Sequence, residues 1–518
     1  MAGPILQPDI SVTTDYAWHN KHLNVQAQVE RLYDAWNLWK GETVPPATRP
    51  WEPGLQALRA IVREAETNHK RVRALGGAWA LSEAAVSDEY LVNTKALNHC
   101  QIGLAQELCA AACPAPREQL VFAQCGVSVI ELSQFLEPRG HSLRTSGASN
   151  GQTLCGAVST GTHGSANQVG SMQDCIHGLH IVAEHGDHYW LQRQSRPAVT
   201  PQFAAILGAT LKEDDDLFNA AVVSFGSFGL IHALLLEVEP IYLLESYTNR
   251  YDYADIGTAM GTLDVSGLDL PDGNALPFHF EIVVNPYATG SGDRGAYVRA
   301  LYKRPHSPQQ PLPPPPMHAG LGEDVITLLG NVTDILPDVI TAALTKELVR
   351  QISNDQLKVV PPQIGTHGQT FGGTELRGRV LSCEIGVPLA RTPEAVDITI
   401  QLANAHSFAG VVALRYVKPS DATLAFTRHG PYTCTIELPG TYSERTKDFY
   451  AALWQALATA GIPQTFHWGQ MLPDNEAQLR TAYGAGIDAW LAARRGFLSA
   501  SGRRTFSNRM LDRCGLAA

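Results

Sequence analysis

The chain contains 518 residues, of which 39 are basic and 50 acidic, giving a formal net charge of -11. This length exceeds one ordinary hydrophobic core, so we expect two domains, or one large enzyme domain with a cap. The basic residues are scattered, and an acidic chain without a basic patch lacks the electrostatic footprint of a nucleic-acid-binding protein. Nucleic acid is therefore excluded as a partner.

The amino-terminal segment and the cysteines bear on the cellular compartment. MAGPILQPDISVTTDYAW has no basic region followed by an apolar one, and the chain has no run of about 18 apolar residues. We therefore expect a cytoplasmic protein with no integral membrane segment. The nine cysteines are dispersed, which favours free thiols, and neither HExxH nor a CxxC with a second ligand pair occurs. No metal site is predicted.

The first predicted elements are helical. Residues 19–40 begin polar and become helix-like, and Trp51 to Asn68 repeats apolar residues at helical spacing. A short β run then ends at Gly76 and Gly77. A Gly-Gly turn after a strand can point backbone N–H groups at a pyrophosphate, and it can equally be an ordinary tight turn.

The segment from Arg144 to Ser165, RTSGASNGQTLCGAVSTGTHGS, is rich in glycine and small residues and lies between two strand-like runs. Such a loop lets the backbone approach a flat or phosphorylated ligand closely. The alternative is a flexible surface loop, the usual meaning of Gly/Ser/Thr clusters. We call residues 144–165 the glycine segment.

The chain changes character near Glu239, and residues 241–470 are predicted to form a substrate domain with alternating strands such as FHFEIVVNPY. A Pro-rich insertion at 306–318 is expected to be an extended surface connector. Residues 321–351 have helical spacing. Their apolar face is expected to pack in the core or a dimer, with an active-site cover or a membrane surface as alternatives.

QTLCGAVSTGTHGS, within the glycine segment, resembles the flavin-contacting loop of the vanillyl-alcohol-oxidase superfamily, close to its aldonolactone, alditol and sterol oxidase branch. The resemblance implies an α+β fold with a two-subdomain FAD-binding domain of the PCMH type. It also implies a substrate (cap) domain with an antiparallel sheet flanked by helices. The expected boundaries are 1–240 and 471–518 for the FAD-binding domain and 241–470 for the substrate domain.

The resemblance also implies which residues contact FAD. In many members a histidine in a G-x-G-H-S motif carries the flavin covalently, but here Trp79 stands at that position and Ala80 at the serine, so non-covalent FAD is expected. The segment GSFGLI, which ends at Ile231, resembles a motif near the adenine, and Phe506 and Asn508 match a closing F-x-N. The residues expected to bind the cofactor are Ala74, Leu75, Gly76, Gly77, Ala78, Trp79, Ala80, Gly147, Ala148, Thr153, Gly156, Thr160, Gly161, Thr162, His163, Ile231 and Asn508.

Candidate catalytic residues follow from the same resemblance. Arg415 in VVALRYVKP matches the arginine of the family's E-I-R strand, and Ala413 stands where the glutamate would be. Glu437 lies about where alditol oxidases carry a histidine, and Gln470 in FHWGQ replaces the lysine of H-W-G-K. Glu437 is the first candidate for the catalytic base, and Glu281 is the second. These changes make a sugar alcohol or an aldonolactone doubtful as the substrate.

Each of these residues also has a structural interpretation. Arg415 could be a paired arginine between domains, Glu437 a solvated strand residue and Gln470 an amide at the rim. Glu384, in SCEIGVPL, superficially matches the E-I-R run, but its spacing to HWG favours Arg415. His467 is expected to pack rather than react.

The implied reaction removes a hydride from a hydroxyl-bearing carbon of a small alcohol-type molecule and passes it to flavin N5. Arg415 would stabilise the alkoxide, and a carboxylate would take the hydroxyl proton. Gly147 falls where family members carry a small residue beside the flavin, which favours dioxygen as the acceptor; glycine also suits a turn with positive φ. The alternatives are another electron acceptor or a flavin-fold binding protein without turnover.

Overall fold

The computed structural model describes residues 7–40, 49–307, 311, 342–347, 349–350, 353, 361–373, 379–473 and 475–517. Most of the predicted Pro-rich insertion, and much of the helix predicted over residues 321–351, lie outside these ranges. Within the described ranges, no helix is long and apolar enough to cross a membrane.

Four strands near the amino terminus form the first sheet, in the order β1-β2-β4-β3. They are β1 (Pro8–His19), β2 (Gln26–Trp39), β3 (Val72–Leu75) and β4 (Tyr90–Asn93). β1 and β2 form an antiparallel hairpin, whereas β4 runs parallel to β2 and β3. Helix α1 (Glu52–Thr67) packs against β2, which confirms the helix predicted from Trp51 to Asn68.

The helix predicted over residues 19–40 is wrong, because this segment forms the turn and second strand of the hairpin. Val29, Leu32, Tyr33 and Trp36 fit the i, i+3, i+4, i+7 spacing of a helix face. In the hairpin Trp36 is 40% exposed, while Val29 and Tyr33 are buried. β1 and β4 supply the backbone partners of β2, and these long-range hydrogen bonds override the local periodicity.

Six strands form the second sheet, in the order β10-β9-β8-β11-β6-β5. They are β5 (Cys100–Ile102), β6 (Leu120–Gln124), β8 (Ile176–Val182), β9 (His188–Gln192), β10 (Thr210–Glu213) and β11 (Leu230–Glu237). The accompanying helices are α2 (Val129–Leu136), α3 (Leu154–Thr160), α4 (Pro201–Leu207) and α5 (Asp215–Val222). The short strands β7 (His141–Ser142) and β12 (Glu239–Pro240) pair with each other beside it.

His180, His188 and His232 lie buried in the second sheet and form a hydrogen-bonded row, which we call the histidine cluster. Nδ1 of His180 is 2.9 Å from Nδ1 of His232, and its Nε2 is 2.9 Å from Nδ1 of His188. Burial disfavours a charged imidazole and lowers the pKa of His232 to about 3 and the pKa of His188 to about 4. The cluster is therefore uncharged near neutral pH.

Eight antiparallel strands form the third sheet, in the order β16-β13-β15-β14-β18-β19-β17-β20. They are β13 (Tyr242–Tyr251), β14 (His279–Val284), β15 (Ala296–Pro305), β16 (Gln363–Thr366), β17 (Val380–Pro388), β18 (Val412–Val417), β19 (Thr433–Thr441) and β20 (Thr465–Phe466). The helices of this part include α6 (Gly257–Thr262), α7 (His367–Thr370), α8 (Thr392–His406) and α9 (Glu444–Thr459), and the described residues 342–347 are also helical. Helix α8 packs against both α9 and β17.

The last helices return to the first half of the chain. They are α10 (Glu476–Tyr483), α11 (Ala485–Phe497), α12 (Ala500–Thr505) and α13 (Arg509–Arg513). Helix α11 packs against α5, and α12 packs against α1. The buried guanidinium of Arg494 donates to the carbonyl oxygens of Ser227 and Leu516, which ties the chain end to the second sheet. The predicted α+β class is confirmed.

Candidate active site

The glycine segment and the loop that follows β3 lie in direct contact. We call residues 76–82, which leave β3, the first glycine loop. A Cβ atom added to Gly76 would lie 2.2 Å from Oγ1 of Thr153, and one added to Gly151 would lie 2.3 Å from the indole of Trp79. Only glycine allows this approach, so the structure brings together two segments that the sequence analysis assigned to one cofactor.

The local fold of the glycine segment is set by the capping of α3. Oγ1 of Thr153 accepts the N–H of Gly156 at 3.3 Å, which starts the helix, and Gly161 ends it with a φ of +83°. Thr160 donates its hydroxyl hydrogen to the carbonyl oxygen of Gly156 at 2.9 Å. Of the residues predicted to bind the cofactor, Thr153, Gly156, Thr160 and Gly161 therefore also hold the helix in place.

Several buried polar atoms near these loops make no hydrogen bond within the described residues. Asn150 is 0% exposed, yet both atoms of its side-chain amide lack a partner, as do Oγ1 of Thr145, Oε1 of Gln152 and Nε1 of Trp79. Unsatisfied buried groups of this kind are costly in a folded protein. Donors and acceptors gathered beside two glycine-rich loops fit a cofactor such as FAD, which has polar atoms of both kinds.

Two residues predicted to bind the cofactor have other local partners. Nδ2 of Asn508 donates to the carbonyl oxygens of Glu83 and Val86, and its Oδ1 accepts the N–H of Leu511. Ile231 is buried near the start of β11, 4% exposed, in the hydrophobic core. Asn508 therefore contacts the residues just after the first glycine loop, and it can support that loop only indirectly.

A row of polar side chains crosses one face of the third sheet. Arg299 on β15 pairs with Glu281 on β14, which pairs with Arg415 on β18. In the adjacent ladder Glu437 on β19 pairs with Glu384 on β17. Because cross-strand partners project to the same face of a sheet, charges from five strands meet here.

Arg415 is the centre of this row. Its Nε donates to Oε1 of Glu281 at 2.9 Å, and its Nη1 donates to Oε2 of Glu437. Glu384 Oε1 lies 3.9 Å from Nη1 of Arg415. Burial alone would lower the pKa of Arg415, but the three carboxylates outweigh it and raise this pKa above its ordinary value. Burial would raise the pKa of Glu281, but Arg415 and the other nearby cations lower it below its usual range. Both groups are therefore ionised at neutral pH.

Gln470 bridges two carboxylates. Its Nε2 donates to Oε2 of Glu384 at 3.1 Å and to Oε1 of Glu437 at 3.2 Å, while its buried Oε1 has no partner among the described residues. The four predicted catalytic residues, Glu281, Arg415, Glu437 and Gln470, are thus joined in one hydrogen-bonded network.

Glu384 is the residue that the sequence analysis set aside and that the structure places in this network. Its carboxylate is 3% exposed, and Oε1 lies 2.9 Å from Nε2 of His163 in the glycine segment. A lone glutamate in the otherwise apolar strand VLSCEIGVP was the available signal, because an unpaired carboxylate is rarely buried. Glu384 thereby connects the predicted catalytic residues to the predicted cofactor loop.

Both ring nitrogens of His163 have close polar partners. Nδ1 lies 2.8 Å from the carbonyl oxygen of Gly164, and Nε2 faces the carboxylate of Glu384. Both partners can accept a hydrogen bond, so His163 links the backbone of the glycine segment to the carboxylate of Glu384. Burial would raise the pKa of Glu384, but its interaction with His163, with smaller contributions from His467 and Arg415, lowers it below its ordinary value.

A cleft opens beside Gln470. It has a volume of about 210 Å³ and is lined by parts of the hairpin, the first glycine loop, the third sheet and α13. Polar lining residues include Asn24, Ser82 and Tyr442.

His467, three residues before Gln470, accepts the N–H of Gly469 at Nδ1, and burial lowers its pKa to about 4. His467 is neutral and carries its hydrogen on Nε2. Among the described residues, no group of three or more His, Cys, Asp and Glu side chains is arranged to hold a metal ion.

Comparisons with known proteins bear on the cofactor of this chain. Residues 55–192 match the profile of a family described as an FAD binding domain. The chain is 24% identical over 456 residues to L-gulono-1,4-lactone dehydrogenase of Mycobacterium tuberculosis (strain ATCC 25618 / H37Rv), covering 86% of this chain and 92% of that protein. It is 25% identical over 209 residues to D-arabinono-1,4-lactone oxidase of Saccharomyces cerevisiae, covering 40% of this chain and 35% of that one.

Solved structures show the same fold. Cholesterol oxidase from Brevibacterium sterolicum superposes with a TM-score of 0.70 at 14% identity, covering 99% of this chain and 100% of that chain. A solvent-stable cholesterol oxidase gives a TM-score of 0.69 at 16% identity, covering 98% of each chain. At these identities the likeness establishes the architecture.

Proposed function

We propose that the chain is an FAD-linked oxidoreductase of the vanillyl-alcohol-oxidase type, similar to its aldonolactone and sterol oxidase branch, and that it oxidises a hydroxyl-bearing carbon of a small polar molecule. The observation that carries this proposal is the network of Arg415, Glu437 and Gln470, which reaches the cleft at Gln470 and is joined through Glu384 to the glycine segment. FAD, when bound, accepts the hydride at N5 and passes the electrons on.

The names of the relatives support a small substrate. Two of them are named a lactone dehydrogenase and a lactone oxidase. The changes at Ala413, Glu437 and Gln470 argue against the way in which the resembled enzymes bind an aldonolactone. We therefore propose a small lactone-like or related hydroxylated ring as the substrate class, without assigning a particular aldonolactone.

The roles of the polar residues follow from their contacts. Arg415 is held as a cation by its carboxylate partners and would stabilise the negative oxygen that develops as the hydroxyl loses its proton. Among the three carboxylates Glu437 has the most exposed side chain, 22% against 11% for Glu281 and 3% for Glu384. It is therefore the first candidate for the base, and Glu281 remains the second. The free Oε1 of Gln470 would accept a hydrogen bond from a substrate hydroxyl.

Dioxygen is the proposed electron acceptor. Gly147 has no positive φ, so its backbone conformation does not demand glycine. A Cβ there would lie 3.0 Å from Cγ2 of Thr162, so close packing also accounts for the glycine. What supports dioxygen is the resemblance, in which a small residue stands here beside the flavin. A different acceptor is the second candidate, because one relative is named a dehydrogenase and the other an oxidase.

The test is anaerobic reduction of the purified yellow protein. We expect small hydroxylated lactones or polyols, but no sterol, to bleach the visible flavin absorption, and air to restore it. Glu437→Gln should slow the bleaching roughly a hundredfold or more with unchanged FAD content. The matched control is Glu394→Gln, which changes an exposed carboxylate on α8. Bleaching by none of these compounds would contradict the proposed reaction, and an unaltered rate in Glu437→Gln would exclude this residue as the base.

A further inference from the structure

The turn between β1 and β2, residues Asn20–Asn24, lies against the first glycine loop, and we call it the hairpin turn. It precedes the segment that matches the FAD binding domain family, residues 55–192. Four donors of the turn meet four consecutive carbonyl oxygens of the loop. They are the N–H of Lys21 to Ala78 (2.9 Å), Nε2 of His22 to Trp79 (3.0 Å), Nδ2 of Asn20 to Ala80 (2.9 Å) and Nδ2 of Asn24 to Leu81 (2.8 Å).

Two side chains of the hairpin turn that donate to the loop are buried. Asn20 is 1% exposed and His22 is 3% exposed. Oδ1 of Asn20 accepts the backbone N–H groups of Asn24 and Val25, at 3.1 and 3.2 Å. The donors are therefore fixed before they meet the loop, so little side-chain entropy is lost when each bond forms.

The loop needs this support because its backbone is strained. Ala78 has a φ of +58°, in the left-handed region that a residue with a Cβ seldom adopts. The carbonyl oxygens of Ala78 and Trp79 are both held by the hairpin turn. Bonds at two successive carbonyls fix the peptide planes that follow Ala78, and this keeps the strained conformation in place.

The contact continues through Trp79 to the glycine segment. The imidazole edge of His22 packs on the indole of Trp79 with ring centroids 5.9 Å apart, and Nζ of Lys21 lies 5.0 Å above the same indole. The opposite part of the indole fills the space that a Cβ would need at Gly151. One side chain therefore transmits the position of the hairpin turn to both glycine-rich loops.

The other side of the first glycine loop faces the predicted catalytic segment. The N–H of Leu81 donates to the carbonyl oxygen of Gly469 at 2.8 Å, and Oγ of Ser82 donates to that of Trp468 at 2.6 Å. The loop is therefore held between the hairpin turn and the residues that lead to Gln470.

We propose that the hairpin turn is a non-covalent lock that sets Trp79 and the two glycine-rich loops in the arrangement that receives FAD, with Asn20, His22 and Asn24 as positioning residues. The cofactor is retained because this lock prepares the loops in advance, and a preorganised site loses less entropy when its ligand binds. The proposal concerns FAD affinity and does not depend on the identity of the substrate or of the catalytic base.

The test compares two substitutions of His22. His22→Leu replaces the imidazole with an apolar side chain of similar bulk and so removes the donor to the carbonyl oxygen of Trp79. His22→Gln keeps an N–H donor. FAD is titrated into each apoprotein, and the thermal unfolding of each apoprotein is recorded. We expect His22→Leu to raise the dissociation constant of FAD about tenfold, the effect of one lost hydrogen bond, and His22→Gln to restore most of the affinity.

The control is Ser11→Ala, on the same hairpin, which removes a bond to Asp34 on the exposed part of the sheet. Its FAD affinity should equal that of the unaltered protein. Wild-type affinity in His22→Leu, or equal weakening in His22→Leu and His22→Gln, would overturn the proposal. If His22→Leu yields no folded apoprotein, Asn24→Ala takes its place, since Asn24 is only half-buried; an unchanged dissociation constant in that variant would overturn the proposal equally.

Discussion

Replacing Arg415 with methionine should destabilise the protein in a way that depends on pH. The guanidinium is 12% exposed and donates to two carboxylates, Glu281 and Glu437. Methionine fills most of the volume but leaves both carboxylates without their cation. Removing one partner of a buried ion pair typically costs about 3–5 kcal/mol, because the remaining charge is stranded.

The structure sets the expected value toward the lower end of this range. Glu437 is 22% exposed and can be partly hydrated, and Glu281 keeps Arg299 as its neighbour on β15. We therefore expect Arg415→Met to lower the free energy of unfolding by about 3 kcal/mol near pH 8. Adding Glu281→Gln and Glu437→Gln to the same variant should recover most of this loss, since neutral amides can be buried at lower cost.

The sign of the pH dependence follows from Glu281. In the intact protein its folded-state pKa is lowered, so its contribution to stability is present above the unfolded pKa of about 4.3 and lost as the pH falls through the folded pKa. Without Arg415 the pKa of Glu281 should rise, because burial, the largest influence on it, is then opposed only by weaker contributions such as that of Arg299. The carboxylate then takes up a proton as the pH falls, and the penalty of Arg415→Met should shrink from pH 8 to pH 5.

The assay is urea-induced unfolding at several pH values. Arg480→Met is the control, because Arg480 also pairs with two carboxylates, Glu476 and Asp488, but on the exposed surface, where ion pairs contribute little. A penalty of Arg415→Met that is the same at pH 5 and pH 8 would refute the reasoning. So would a triple variant that remains as unstable as the single one.

Three further outcomes are expected. FAD should stay in the supernatant when the protein is precipitated with acid, since Trp79 cannot form a histidyl bond; colour in the pellet would contradict this. Gly147→Ala should slow reoxidation by air but leave reduction by substrate nearly unchanged, because the added methyl lies 3.0 Å from Cγ2 of Thr162 and narrows the loop. Equal reoxidation rates in the variant and the unaltered protein would show that Gly147 does not control the access of dioxygen. The histidines of the cluster have lowered pKa values in the folded protein, so below pH 6.5 the unfolded chain binds more protons than the folded one. The free energy of unfolding should therefore fall between pH 6.5 and about pH 4, by up to about 1.4 kcal/mol per pH unit for each histidine. Urea unfolding should show a shallower pH slope in His188→Gln, and an identical slope would exclude the cluster as the cause.

Much of the site could be predicted because its residues occur in motifs with a fixed order along the chain. Glu281, Arg415, Glu437 and Gln470 come from separate segments, and the structure joins them in one network. The glycine-rich loops were predictable for a different reason. Close contact between two backbones excludes a Cβ, and this requirement is visible as glycine in the sequence.

Glu384 and the hairpin could not be predicted with the same reasoning, because both depend on long-range pairing. Glu384 becomes part of the site through the register that sets it opposite Glu437 and through a bond to His163. The hairpin carries residues at helical spacing, and only its neighbouring strands decide the outcome. Local patterns report on local structure, whereas strand register is a property of the whole sheet.

The register also changes how the departures from the resembled family are understood. Compared position by position, Ala413 lacks a glutamate and Glu437 replaces a histidine, which suggests two losses. In the sheet Ala413 and Glu437 are cross-strand partners, so the carboxylate at 437 projects to the same face and pairs with Arg415 from the neighbouring strand.

The remaining change is the amide of Gln470 in place of a lysine. It removes a positive charge between Glu384 and Glu437, and Nε2 of Gln470 instead donates a hydrogen bond to each of these carboxylates. The cation beside them is then Arg415, which donates to Glu437 and lies 3.9 Å from Glu384. The buried Oε1 of Gln470 has no partner among the described residues, and it is an acceptor that a lysine could not provide. For this reason we expect the substrate to be recognised by neutral hydrogen-bonding groups rather than by its charge.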